Sequence, residues 1–358
     1  MSSPQEMPVR NTVVPYASDA WPVHLAGLVP RDVAERWRAV DRSAQAPQLV
    51  AVPGDDGEGW TAAALVTARP GTAYLKIVDA VGDVPAAVAA VVGHARRQGL
   101  AQVKWEGWTA HPGDAAAAGF AALNTPLTWA EGAAGPPAGY VRWVHDDVAA
   151  PPPYYGQSTH FTCGAVTALV AQVHAGVLPP EALDRRAELT LWRDATNFMA
   201  CEPVGLGVAV RRAQPSSRVT VHLDTDRPVL LDHLSAEDQE WRALLQRTSR
   251  TEAERLGVPV DARHLSLSGI REAVGRSEHV LLLLSLATML GFDVPHWVLC
   301  HGVVPGAVVI DDPWANTATG DTWVDAHLLP VPDASLDVMS TMSPGDFRGA
   351  VTLGHPQR

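Results

Sequence analysis

The chain has 358 residues, enough for two domains at a prior of roughly 150 residues each. Hydrophobic residues make up 47% of it, which supplies a real core, and a formal charge of −12 disfavours non-specific binding to nucleic acid or anionic lipid. The opening stretch MSSPQEMPVRNTVV lacks the apolar centre of a signal peptide, and the most apolar run, Val280 to Phe292, is too short to span a bilayer, so a cytoplasmic protein without membrane partners is expected. Three cysteines, Cys163, Cys201 and Cys300, cannot build a disulfide framework, and no C-x-x-C pair suggests zinc.

In chain order, GWTAAALVTARP and AYLKIVDAV read as paired strands. VPAAVAAVVGHARRQGL reads as a helix, with Val84, Val88, Val91, Val92 and Ala95 near one face. AQVKWEGWT then predicts a strand, GDAAAAGFAAL a helix, and LTWAE and YVRWV closing strands. Over residues 55–145 this order resembles the carboxy-terminal half of a GNAT acetyltransferase. That family cradles the pyrophosphate of acetyl-CoA on backbone N–H groups of a glycine-rich loop at a helix start. Here the equivalent stretch, VDAVGDVPAAV, carries Asp79 and Asp83 and no Gly-x-Gly. The expectation is a small degenerate GNAT-like α/β domain, residues 1–148, that docks a substrate or partner without catalysis.

The Pro-rich stretch DDVAAPPPYYGQ, residues 146 to 157, reads as a linker and opens a second domain over 149–358. TCGAVTALVAQVHAGVL reads as a buried helix, PPEALDRRAELTLWRDATNF as two more, and EPVGLGVAVRRA as another. SRVTVHLDT alternates as a strand, and SAEDQEWRALLQRTSRTEAERLG is a polar helix. HVLLLLS, HWVLCHGVV and GAVVIDDPW predict three strands, the last two joined as a hairpin through Pro-Gly. Helices followed by an antiparallel sheet make an α+β domain.

A cysteine nucleophile needs a populated thiolate, which a helix amino terminus and a nearby imidazolium favour. It also needs an oriented base and donors already in place for the oxyanion. Cys163 stands at the predicted helix start, behind STHFT. His296 begins one hairpin strand and Asp312 ends the other, so the two can lie side by side. Gln157 offers a side-chain amide six residues before the cysteine. Strand alternation puts His301 and Asp311 on the opposite faces from His296 and Asp312. His160 reads as a loop residue, Cys201 and Cys300 as small core residues, and Trp297 and Trp314 as core or as a shield for the His–Asp pair.

YYGQSTHFTCGA, ELTLWRDATNFM, PHWVLCHGV and VIDDPW together resemble the papain-like peptidases that cut double-glycine leaders from bacteriocin precursors. They are more similar still to bacterial proteins that join a GNAT-like domain to such a peptidase domain. The resemblance implies a papain-like cysteine peptidase fold, with Cys163 as nucleophile, His296 as base and then acid, and Asp312 as orienter. It implies an oxyanion hole from Gln157 and the Cys163 N–H, no metal or organic cofactor, and a peptide substrate such as the leader of a ribosomally made precursor. The sequence departs from that family at His160, at CGAV and at the short ACEP segment. Two other functions use the same residues: acyl or peptidyl transfer by the same triad, and an inactive two-domain peptide-binding protein. Oligomeric state stays open, a homodimer being one expectation.

Overall fold

The computed structural model describes residues 10–25, 27–55, 59–108, 110–127, 137–144, 150–195, 200–232, 234–343 and 345–354. The fold is α+β and divides into two compact units, each built on a seven-stranded sheet.

The first unit takes residues 1–125, 135–148 and 316–325. Its strands are β1 (Thr12–Pro15), β2 (Gln48–Pro53), β3 (Trp60–Thr67), β4 (Tyr74–Gly82), β5 (Gln102–Glu106), β6 (Ala121–Ala122) and β7 (Gly139–Trp143), in the order β1-β2-β3-β4-β5-β7-β6. Helix α1 (Arg31–Arg38) precedes β2, α2 (Val84–Arg97) links β4 to β5, and α3 (Pro112–Ala117) follows β5. Only the β4–β5 pairing is parallel, because α2 provides the crossover that a parallel pair requires. Residues of β4 enter both cores of this unit, and Val103 and Trp105 of β5 enter one of them. Ile77, Val103 and Trp105 pack with Val88 and Val91 of α2, while Val78 and Val81 join Trp37, Leu49 and Leu65. The stretch GDAAAAGFAAL does not form one helix: α3 stops at Ala117, Gly119 takes φ +76°, and Ala121–Ala122 becomes β6. Of the expected strand LTWAE only Leu127 lies among the described residues, in an isolated bridge to Tyr155.

The two lysines of the chain, Lys76 and Lys104, are both fully buried in this unit. Lys76 Nζ pairs with Asp325 and, at 3.1 Å, with Glu106. Lys104 Nζ donates to the Asp325 carbonyl at 3.0 Å and sits 4.6 Å from the centre of the Tyr74 ring. Tyr74 Oη donates to Asp325 at 2.8 Å, and Arg69 holds Asp321 through two nitrogens at 2.6 and 3.2 Å. Burial opposes charge on Lys76, but Asp325 and Glu106 outweigh it and hold its pKa above the ordinary value. The sequence assigns residues 316–325 to the second domain, yet they belong to the first unit. Their buried carboxylates find their counter-charges there. The boundary expected at 148 lies outside the described residues.

The second unit takes residues 126–134, 149–315 and 326–358. It contains α4 (Cys163–His174), α5 (Arg185–Ala195), α6 (Pro203–Ala213), β8 (Arg218–Leu223), α7 (Ala236–Leu256), β9 (Val260–Asp261), α8 (Leu267–Gly275), β10 (His279–Ser285), β11 (Pro295–Val304), β12 (Ala307–Asp311), β13 (Leu329–Pro332) and β14 (Gly349–Gly354). Its sheet runs β13-β12-β11-β10-β14-β8-β9, antiparallel except for β8–β9. The leucine run of β10 is central, with Leu281 to Leu284 all fully buried. Every residue of α4 from Cys163 to Val173 is buried, which explains its lack of charge. Helix α6 lies tightly on β8, since a Cβ on Gly207 would stand 2.5 Å from Val221 Cγ2. Of the two helices expected over 179–198, the first is a single tight turn at Pro180–Ala182 and the second is α5; residues 196–199 lie outside the described residues. Among the described residues, no helix is long and apolar enough to cross a membrane.

The lysine network sets a test of the first unit. Lys76→Met leaves Asp325 and Glu106 buried without their cation, a change that costs about 3–5 kcal/mol when one member of a buried pair is removed. The urea midpoint should fall accordingly; an unchanged midpoint would show that the network contributes no stability.

Candidate active site

Cys163 is the first residue of α4 and is 5% exposed. Thr162 stands at the N-cap and makes no side-chain capping bond, so the thiol is carried at the positive end of the helix. Gly164 follows in a tight place: a Cβ there would meet Trp297 at 3.0 Å and Cys201 at 3.3 Å.

The β11–β12 hairpin turns at Gly306, with φ +72°, and its register places Leu299 opposite Asp311. His296 and the residue after β12, Asp312, therefore come together, with His296 Nε2 2.7 Å from Asp312 Oδ1. Both are buried. Asp312 Oδ1 also accepts the Trp314 N–H at 2.8 Å, and the Asp312 N–H donates to the Ala326 carbonyl at 3.0 Å. Cys163 lies close enough to the same imidazole to act on its charge. With Nε2 turned to Asp312, Nδ1 is the ring atom left for sulfur. Burial opposes charge on His296, but Asp312 and then Cys163 outweigh it and raise its pKa to about 10. The site thus favours imidazolium, the state that supports a thiolate.

Gln157 lies in the loop leading into α4. Its backbone N–H donates to the Pro313 carbonyl at 2.8 Å, and its side-chain Nε2 donates to the Thr159 carbonyl at 2.7 Å. That donation uses one of two amide hydrogens and leaves a second for an oxyanion.

The rival residues have other partners. Asp311 accepts from His327 Nδ1 at 3.1 Å and from the Leu328 N–H at 2.7 Å. His301 Nε2 is 3.4 Å from Asp311 without hydrogen-bond geometry, and it sits at a β-bulge between Cys300 and Gly302. Burial works against ionised Asp311, but His327 and His301 outweigh it and hold the carboxyl far below its usual range. His160 is exposed, its ring 6.3 Å from that of Trp314, which in turn lies 6.5 Å from the His296 ring. Trp297 is core, donating through Nε1 to the Cys201 carbonyl at 3.1 Å. Burial pushes the Cys300 thiol up to about 12 and, with Cys163 close by, raises that of Cys201 as well.

Sequence reasoning missed Glu188. This fully buried residue of α5 accepts hydrogen bonds from Tyr155 Oη at 3.1 Å, from the Ser158 N–H at 2.7 Å and from the Thr162 hydroxyl. A signal existed: Glu188, Leu191 and Ala195 follow the i, i+3, i+7 spacing of a buried helix face. Among the described residues, no cluster of three or more His, Cys, Asp or Glu could hold a metal. In the first unit, the start of α2 is capped by the Asp83 carboxylate, which accepts from the Ala86 N–H at 3.1 Å, and Asp79 is buried against Arg36 and Trp37. Those acidic groups do not fit a pyrophosphate.

A family model described as Peptidase_C39 like family matches residues 152–354. A solved structure described as a C39-like peptidase from Bacillus anthracis is 11% identical, covering 59% of this chain and 100% of its own, with TM-score 0.34. One described as an acetyltransferase of the GNAT family from Desulfovibrio desulfuricans is 16% identical, covering 38% of this chain and 100% of its own, with TM-score 0.28. No curated protein matches.

The raised pKa of His296 sets a linkage test. Its folded value exceeds the unfolded one, roughly 6.5, so the pair contributes fully below that pH and its contribution is lost as pH rises through about 10. An NMR titration should find His296 protonated well above neutrality in the wild type and back toward ordinary values in Asp312→Asn. Equal titration in both proteins would show that Asp312 does not hold the proton there.

Proposed function

We propose, since the chain belongs to the Peptidase_C39 like family, that its second unit is a thiol peptidase that cleaves peptide bonds through a thioester. One observation carries this reading. His296 stands between Asp312, which it hydrogen-bonds at 2.7 Å, and Cys163, both of which raise its pKa, with the sulfur on the first residue of a helix.

In the proposed reaction the Cys163 thiolate attacks the scissile carbonyl carbon. The resulting oxyanion takes hydrogen bonds from the Cys163 backbone N–H and the Gln157 side chain. Collapse breaks the C–N bond, and His296 gives its proton to the leaving amine. Neutral His296 then removes a proton from water, which attacks the thioester, and the carboxylic acid product leaves as the thiol is restored. Asp312 keeps the imidazole oriented throughout. The proposed substrate is a peptide or protein segment, and the leader of a ribosomally made precursor is the narrower proposal. The first unit would hold substrate or partner rather than transfer an acetyl group, a reading supported by the acidic start of α2.

The expected behaviour is measurable on the native protein. With a limiting dose of iodoacetamide between pH 5 and 9, Cys163 should label fast below pH 7, while buried Cys201 and Cys300 stay unlabelled. His296→Ala should slow labelling at pH 6 by about tenfold or more, since an ordinary thiol titrates near 8.5. Slow labelling of Cys163 with an ordinary thiol profile in both proteins would contradict the proposal and favour an inactive binding protein.

A further inference from the structure

We infer that Glu188 is a positioning residue for the oxyanion side of the site, acting through the loop 155–162; this rests on the peptidase reading above. Its three donors, Tyr155, Ser158 and Thr162, bracket Gln157 on both sides and end immediately before Cys163. On the other side, the Gln157 N–H is tied to Pro313, the residue after Asp312. The loop is therefore fixed between Glu188 and the His296–Asp312 edge.

Burying a carboxylate is costly unless its lone pairs are met, and here two oxygens meet three donors. A carboxylate accepts from all three at once, whereas an amide could keep two and would reverse the bond to the Tyr155 hydroxyl. Glu188 also takes the hydroxyl of Thr162, a side chain that at an N-cap ordinarily bonds the N2 or N3 amide. That hydroxyl makes no capping bond to α4 and lies 3.3 Å from the Thr159 carbonyl, so the last residue of the loop is held on the loop side. One buried carboxylate thus holds the Gln157 loop from Tyr155 to Thr162.

The test separates two reactions of the same sulfur. Alkylation by iodoacetamide develops no oxyanion, whereas acylation by p-nitrophenyl acetate does. Glu188→Gln should slow the p-nitrophenolate burst by about tenfold to a hundredfold, near the effect of losing one oxyanion donor, while Cys163 alkylation changes less than about twofold. In a Gln157→Ala background the same substitution should add little, because the loop has nothing left to position. Wild-type acylation in Glu188→Gln, or losses that simply multiply with those of Gln157→Ala, would overturn the inference. Should Glu188→Gln not fold, Tyr155→Phe removes one donor at nearly constant shape. It should slow acylation more than alkylation, and an unchanged burst would count against the inference. A wild-type protein that alkylates slowly and shows no burst would sink the peptidase reading, and this inference with it; fast wild-type reactions with an indifferent Glu188 would sink this inference alone.

Discussion

The hydrogen bond between His296 and Asp312 is the constraint around which the second unit is arranged. Both groups are buried, and each offsets the cost of charge on the other. Their meeting depends on the β11–β12 register, on the turn at Gly306 and on the apolar β10 behind them. Backbone groups complete the fit. The Trp314 N–H satisfies the carboxylate, and the Ala326 carbonyl fixes the peptide of Asp312. Trp314 stands beside the imidazole, placing an apolar ring next to a charge that water would otherwise screen.

The sulfur reaches this pair from a helix whose composition is set by burial. Helix α4 carries small and aliphatic residues because every face of it meets protein, and Gly164 lets it pass Trp297 and Cys201. The thiol therefore sits on a rigid element rather than on a loop, which is what a nucleophile with a narrow geometric tolerance requires. Ahead of it, the loop carrying Gln157 packs through Tyr155 and Phe161 and is tied by polar bonds to Glu188 on one side and Pro313 on the other.

What the sequence revealed, and what it hid, follow from range. The six-residue step from Gln157 to Cys163 and the sixteen from His296 to Asp312 are local distances. A helix start and a hairpin are enough to place them. The Leu281–Leu284 run announces a central strand by composition alone. By contrast, the elements within residues 12–53 are short, and two strands and α1, whose buried face is just Val33 and Trp37, went unread. Glu188 drew no reading because its donors lie 26 to 33 residues away. Lys76, Lys104 and Asp325 hid for the same reason: a buried charge is recognisable only with its partner, and here the partner lies some 220 to 250 residues along the chain. Scarcity was a usable hint. A chain with two lysines, both in strands, places its compact ammonium groups where a guanidinium fork would not fit as easily.

Peptide-bond hydrolysis itself is the most direct measure of the account. The full chain and its Cys163→Ala variant would be incubated with a diverse peptide library in ¹⁸O-labelled water, and new termini read by mass spectrometry. The account predicts wild-type products whose new carboxyl groups carry ¹⁸O from the water that resolves the thioester, absent from the variant. Cleavage that persists in Cys163→Ala, or no cleavage by a wild type whose Cys163 alkylates rapidly, would contradict it. Products joined to an added amine in place of ¹⁸O would show that the same thioester is resolved by transfer.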